Sequence, residues 1–189
     1  MIRDLVTATR SVRRFHQAEA VDRDTLRDLV DLARLSASAA NVQPLKYVLS
    51  CEPERNARIF PLLAWAGYLK DWSGPVEGER PAAYIVILLD KRLRQTVDCD
   101  HGIASQSILL GATEKGLSGC IIASIQRREL REVLAIPEHL EILLVIALGR
   151  AKERVVLEPL GADGDVKYWR DADAVHHVPK RALDDLIVG

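Results

Sequence analysis

The chain has 189 residues, enough for one domain with a sizeable core, and its 26 Lys plus Arg nearly cancel its 27 Asp plus Glu, for a formal net charge of -1. That balance argues against a nucleic-acid binder living on counterion release, which would be clearly basic, and the chain lacks the basic amphipathic helix of a membrane-surface protein. No window approaches the roughly 18 apolar residues of a membrane span.

Met1-Ile2-Arg3-Asp4 runs into an amphipathic segment without a long apolar stretch, so no secretory leader is expected. The stretch T-R-S-V-R-R-F-H (9–16) then places Arg10, Arg13 and Arg14 close together, with Ser11 among them. Read as a helix, steps of three and four gather all three guanidinium groups on roughly one face. In a nearly neutral chain, such a cluster is either a solvated face or is aimed at one compact anion.

Residues 22–35 predict an amphipathic helix, with Leu26, Leu29, Val30 and Ala33 at helical spacing and Asp22 as its cap. The loop S-A-S-A-A-N-V-Q-P (36–44) follows. Its small residues let backbone approach a flat ligand, and the Asn41 and Gln43 amides each offer donor and acceptor. It suits a heterocycle edge, or is an ordinary helix-to-strand turn. Leu45–Cys51 predicts a strand, residues 54–69 a helix ending in aromatics, and residues 71–81 a Gly/Pro-punctuated loop.

Ala82–Leu89 is nearly all apolar and predicts a strand buried on both faces. A long helix is expected from Asp100 to Leu117, stopped by Gly116, then a buried strand Cys120–Ile125, a short charged helix 126–135 and a third buried strand Ile142–Leu148, ended by Gly149. The segment from Gly116 to Ser124 is small and apolar, fit either to pack a sheet edge against a planar ring or to be a plain buried strand. The last 40 residues lack strong periodicity, but Tyr168, Trp169 and L-D-D-L-I-V offer anchors for a tail that wraps something. Pro179-Lys180-Arg181 is a second basic spot, able to converge with the first on one phosphate. The pattern predicts a single α+β domain over 1–189, with a mixed sheet of at least four strands.

Several chemistries have no signature. G-x-G-x-x-G, a Walker lysine loop and G-x-S-x-G are all absent. His176 and His177 are adjacent, so on a strand they point to opposite faces; shared metal ligation is not expected, and each is read as a satisfied loop histidine. Cys51, Cys99 and Cys120 form an odd set without C-x-x-C, read as structural thiols in a reducing cytoplasm.

Taken in order, the segments resemble the FMN-dependent nitroreductase family. T-R-S-V-R-R-F resembles its opening R-R-S-x-R-x-F motif, and S-A-S-A-A-N-V-Q-P its A-P-S-x-x-N-x-Q-P loop. The stretch from Asp100 to Cys120 resembles its central helix followed by G-L-G-x-C. I-A-L-G resembles its last core strand, and H-H-V-P-K-R-A-L-D-D-L-I its tail.

The resemblance implies a mixed central sheet flanked by helices, an intertwined homodimer with two FMN sites at the interface, and a C-terminal tail wrapping the partner subunit. Arg10, Ser11 and Arg13 would serve the FMN phosphate and pyrimidine edge, for which arginine is well suited. Lys180 or Arg181 would complete the phosphate site. Ser38, Ala39, Asn41 and Gln43 would line the pyrimidine edge or ribityl chain, and Ile122, Ala123 and Ser124 would lie beside the ring. Arg14 has no matching role and is expected to be solvated or paired.

The implied activity is hydride transfer from NAD(P)H through FMN, in ping-pong order, to a nitroaromatic, quinone or similar conjugated acceptor. No side chain is required as acid or base. Another reaction on the same flavin (dehalogenation or flavin breakdown) and a non-catalytic FMN-binding protein remain alternatives. Trp65, Tyr68 and Trp72 are the expected substrate-facing aromatics, with a core or interface role as the competing reading. The chain departs from the motifs at Thr9, Ala37 and Leu45, and at Ala123 and Ser124, where glycine is common in the family.

Overall fold

The protein is described by a computed structural model covering residues 1–189. In chain order the elements are α1 (Ile2–Ala8), α2 (Arg23–Leu35), β1 (Leu45–Ser50), α3 (Pro53–Ile59), β2 (Ala83–Asp90), α4 (Asp100–Glu114), β3 (Ser118–Ile122), α5 (Arg127–Leu134), β4 (Leu140–Gly149), β5 (Val155–Pro159), β6 (Trp169–Arg170) and β7 (His176–Lys180).

The uninterrupted apolar runs become the middle of the main sheet, whose order is β1-β2-β4-β3. Every residue of β2 is buried. Burial on both faces leaves no polar side to alternate with, which is why these strands read as continuous apolar stretches. All three ladders of this sheet are antiparallel. The mixed character comes from two other places. A parallel bridge joins Ser11 to Gly119 along β3, and a second sheet, β5-β7-β6, pairs β5 with β7 in parallel.

Each face of the main sheet carries its own core. On one, Ile85, Ile87, Ile146 and Leu148 pack against α2 (Leu26, Leu29) and α4 (Ile108, Ala112). On the other, Tyr84, Val86, Val145 and Ala147 pack against Ile59, Trp65 and Leu130. Asp22 caps α2 as expected, accepting from Thr25 N at 2.6 Å. α4 ends at Glu114, and Gly116 (φ +73°) turns the chain into β3. No helix is long and apolar enough to cross a membrane.

Three expectations change. The arginine stretch is extended, not helical: α1 ends at Ala8, and Val12 N donates to Gly119 O, Phe15 N to Glu79 O and His16 N to Arg150 O. Val12 and Phe15 are both buried. Gly119 is required in β3, because a Cβ there would collide with the Ala147 carbonyl oxygen of β4 and crowd Leu148 and Leu109.

The helix expected over 54–69 stops at a single 3-10 turn, Phe60–Leu62, where Pro61 cannot continue α3. The C-terminal segment folds on its own chain through β5, β6 and β7 rather than running free. Residues 181–189 lie beyond these strands, and Leu183, Leu186, Ile187 and Val188 are exposed, as are Val166 and Trp169.

Candidate functional site

The extended arginine stretch and the end of β3 border one cavity of 190 Å³, lined by Arg13, Trp65, Cys120, Ile122, Ala123 and Ser124 among others. β3 stops at Ile122, so Ala123 and Ser124 leave the ladder. Their N–H groups donate to no other group of the chain, while their carbonyls are held, Ser124 O by Ala64 N at 3.0 Å and Ala123 O by Arg127 Nη2 at 3.2 Å. The result is a fixed strip of backbone with two free donors. Trp65 is buried, and its Nε1 has no partner. Burial pushes the Cys120 thiol up to about 12, leaving it a neutral packing group.

The three guanidinium groups diverge: alternation along the extended chain sends Arg13 and Arg14 to opposite sides, and Arg10 folds back onto α1. Arg14 turns away into a two-pronged pair with Glu79 (2.6 and 2.7 Å), which Lys152 also reaches at 3.0 Å. That pairing holds the Glu79 carboxyl down at about 2. Arg10 Nη2 folds back onto Val6 O at 2.7 Å, leaving its buried Nε without a partner. Ser11 is exposed.

Arg13 is held by partners that sequence reasoning missed. Its Nη1 donates to His176 Nε2 at 3.3 Å, and its guanidinium lies 4.9 Å from the Tyr168 ring centre. An arginine only donates, so His176 Nε2 accepts and the proton sits on Nδ1, a buried atom with no partner. Burial first, then the Arg13 charge, drives the His176 pKa down to about 4. Beneath them the fully buried Glu153 carboxylate accepts from Arg13 N, from Arg14 N at 3.2 Å and from Arg170 Nη2 at 2.8 Å.

The adjacent histidines do point to opposite faces, but in strand β7 rather than a loop. His177 is satisfied between Glu158 and Asp171, and the Asp171 hydrogen bond, followed by Glu158, raises its pKa. His176 is not fully satisfied, which corrects the expectation for that residue.

The aromatics part company. Trp65 lines the Arg13 cavity. Tyr68 is half exposed, its ring 5.0 Å from that of Tyr168. Trp72 lies under the Arg170 guanidinium at 4.6 Å. The cysteines are unbridged; Cys99 is exposed beside the start of α4 rather than packed among apolar neighbours.

The Ser38–Gln43 loop lies elsewhere. It borders a separate 220 Å³ cavity, lined by Ala33, Ser38, Gln43, Tyr47, Asp100 and Ala104 among others. Ala33 and Ala104 belong to the α2/α4 core, whereas Trp65, Cys120 and Ile122 belong to the core across the sheet. One chain therefore does not bring Asn41 and Gln43 to Arg13. Three non-glycine residues of the loop, Ala40, Asn41 and Gln43, have φ between 51° and 54°. Each such left-handed residue costs on the order of 1 kcal/mol or more.

Nor do the two basic spots meet within a chain. Lys180 and Arg181 line a groove with Leu157 and Leu160 at the far end of β7. Four residue steps along β7 separate His176, which touches Arg13, from Lys180, about 13 Å at roughly 3.3 Å per residue.

The sequence model of the nitroreductase family matches residues 6–150. A protein of Archaeoglobus fulgidus with the provisional name NADH dehydrogenase/NAD(P)H nitroreductase is 26% identical over 159 residues, 79% of this chain and 84% of that protein. Among solved structures, an FMN-dependent nitroreductase of Clostridium difficile superimposes with a TM-score of 0.65 at 22% identity, covering 82% of this chain and 89% of that one. A nitroreductase family protein of Clostridium novyi does so with a TM-score of 0.66 at 22% identity, covering 95% and 94%. At these identities the superpositions speak for the fold.

Proposed function

The chain belongs to the nitroreductase family and is an oxidoreductase, and from that premise we propose that it binds FMN in the Arg13 cavity and uses NAD(P)H as reductant. The observation that carries this reading is that Ala123 and Ser124, whose backbone N–H groups have no partner in the chain, line the same cavity as Arg13 and Trp65. Unpartnered donors on a rigid strand end, with a cation beside them, suit a flat heterocycle that presents acceptors along one edge and gathers negative charge there. The buried, unpartnered Nε of Arg10 adds a donor on the same stretch for a phosphate.

The chemistry FMN supplies when bound is hydride transfer, in from NAD(P)H and out to a nitroaromatic, quinone or similar conjugated acceptor, in ping-pong order. The chain's own residues bind and orient. Arg13 supplies positive charge to the pyrimidine edge, with its direction set by His176 and Tyr168. Ala123 and Ser124 would donate to the flavin from the backbone, and Ile122 would supply an apolar wall. Arg10 and Ser11 serve the phosphate. Trp65 excludes water from one wall, and Tyr68 and Trp72 flank the acceptor.

Ser38, Ala39, Asn41 and Gln43 reach the same flavin from a second copy of the chain, and so does Lys180 or Arg181. Their separation from Arg13 within one chain, and the exposed Leu183, Leu186 and Ile187, support a homodimer with shared sites.

The test is anaerobic. The FMN-loaded protein bleaches on addition of NADH or NADPH and recovers its colour with a quinone. Failure of both nicotinamides to bleach bound FMN contradicts the assignment of NAD(P)H as reductant.

A further inference from the structure

We propose that Asp100, the first residue of α4, is a positioning residue that holds the Ser38–Gln43 loop in its ligand-binding shape. The proposal rests on the reading above, in which that loop contacts FMN. Asp100 is only 4% exposed, and both of its carboxylate oxygens are spent on the loop. Oδ2 accepts from Ser38 Oγ at 2.5 Å, and Oδ1 accepts from Ala39 N at 3.1 Å. Because Ser38 gives its proton to Asp100, its oxygen is free to accept from Gln43 N at 2.9 Å. The relay from Asp100 through Ser38 to Gln43 thus fastens both ends of the loop to one buried carboxylate.

Between those ends lie the left-handed residues Ala40 and Asn41, and Gln43 itself is left-handed. Non-glycine residues persist in this region only where the surroundings over-determine them. The bonds inside the loop, Asn41 N to Ser38 O and Val42 N to Ala39 O, are local and move with it. Flanking ties join Ser36 Oγ to Ser107 Oγ at 2.7 Å and Asp90 N to Pro44 O at 2.9 Å, and between them Asp100 fastens Ser38 and Ala39 to the rest of the fold. The carboxylate is itself well placed, since the first turn of a helix favours negative charge. The side chains the clamp would aim are the Asn41 and Gln43 amides, whose directions follow the backbone angles it enforces.

The experiment compares Asp100→Asn, Ser38→Ala, Gln43→Ala and the Asp100→Asn/Gln43→Ala double variant. Asparagine keeps the shape but cannot accept from both Ser38 Oγ and Ala39 N as a carboxylate does. Ser38→Ala removes the same relay from the loop side, should Asp100→Asn fold poorly.

In the FMN-free protein, hydrogen exchange over residues 36–44 is expected to speed up in Asp100→Asn and Ser38→Ala, with exchange in β2 and β4 unchanged. FMN affinity is expected to fall ~10-fold, the worth of one charge-assisted hydrogen bond. The visible spectrum of the remaining bound FMN should shift. Gln43→Ala should cost less in the Asp100→Asn background than in the wild type, because an unaimed amide has less to lose. Unchanged exchange over 36–44 overturns the proposal, as does faster exchange with FMN affinity and additivity intact. Wild-type protein that binds no FMN, with exchange still faster in Asp100→Asn, overturns the flavin reading while the clamp itself stands.

Discussion

Glu153 is the buried charge on which the N-terminal arginines and the C-terminal segment both depend. Its side chain is fully buried and accepts from the backbone N–H groups of Arg13 and Arg14 and from Arg170 Nη2. Glu153→Gln keeps the volume and one acceptor oxygen but removes the charge. The Arg13 N and Arg14 N bonds to Oε1 go from charge-assisted, at roughly 1.5–3 kcal/mol each, to neutral, at roughly 0.5–1.5 kcal/mol, a loss of about 1 kcal/mol apiece, and the Arg170 bond is lost outright, at a further roughly 1.5–3 kcal/mol, because the amide nitrogen that replaces Oε2 can only donate.

The total of about 3.5–5 kcal/mol falls within the roughly 3–5 kcal/mol expected when one member of a buried ion pair is removed. For a chain of this length each kcal/mol lowers Tm by about 2–4 °C, so the drop should be about 7–20 °C. The assay is thermal unfolding followed by far-UV circular dichroism, beside Glu153→Asp, which restores charge but shortens the reach. A Tm within about 2 °C of wild type for Glu153→Gln would refute the ion-pair account, since that is less than a single such bond is worth.

Two further outcomes follow from the same site. Arg13→Gln should lower the midpoint potential of bound FMN by about 30–60 mV in a spectroelectrochemical titration, from a lost charge-assisted bond of roughly 1.5–3 kcal/mol at about 30 mV per 1.4 kcal/mol; Arg14→Gln, whose charge is committed to Glu79, should not. His176, with its folded pKa lowered to about 4 against 6.5, binds its proton more weakly folded than unfolded. The unfolded chain therefore takes up the extra proton between pH 6.5 and 4, so stability falls as pH falls through that window and levels off below it. His176→Gln should flatten that acid-side loss of Tm measured from pH 7 to 4.5, and a slope as steep as wild type would refute it.

How far each feature could be read from the sequence follows the range of the interaction behind it. β2 and β4 were legible because burial on both faces leaves a continuous apolar run in A-A-Y-I-V-I-L-L and I-L-L-V-I-A-L. The α2 stripe and its Asp22 cap were legible because they are local. The arginine stretch was misread because nothing inside it competes with a helix. Its extended form is imposed by Gly119, Glu79 and Arg150, far away in sequence.

Glu153, His176 and Arg170 were invisible for the same reason, their partners lying up to 163 residues away. Asp100 carried a faint signal, as an acidic residue opening a long apolar helix, but its use of Ser38 is a tertiary fact. Arg14 was read as solvated or paired, and Glu79 is its partner.

The central claim is that the Arg13 cavity, completed by a second copy, holds FMN, and the most direct measurement is flavin content. The account predicts that purified protein is yellow, releases FMN and not FAD on heating, and takes up about one FMN per chain with the visible band restored. Colourless protein that leaves micromolar FMN unbound in an equilibrium titration would contradict it.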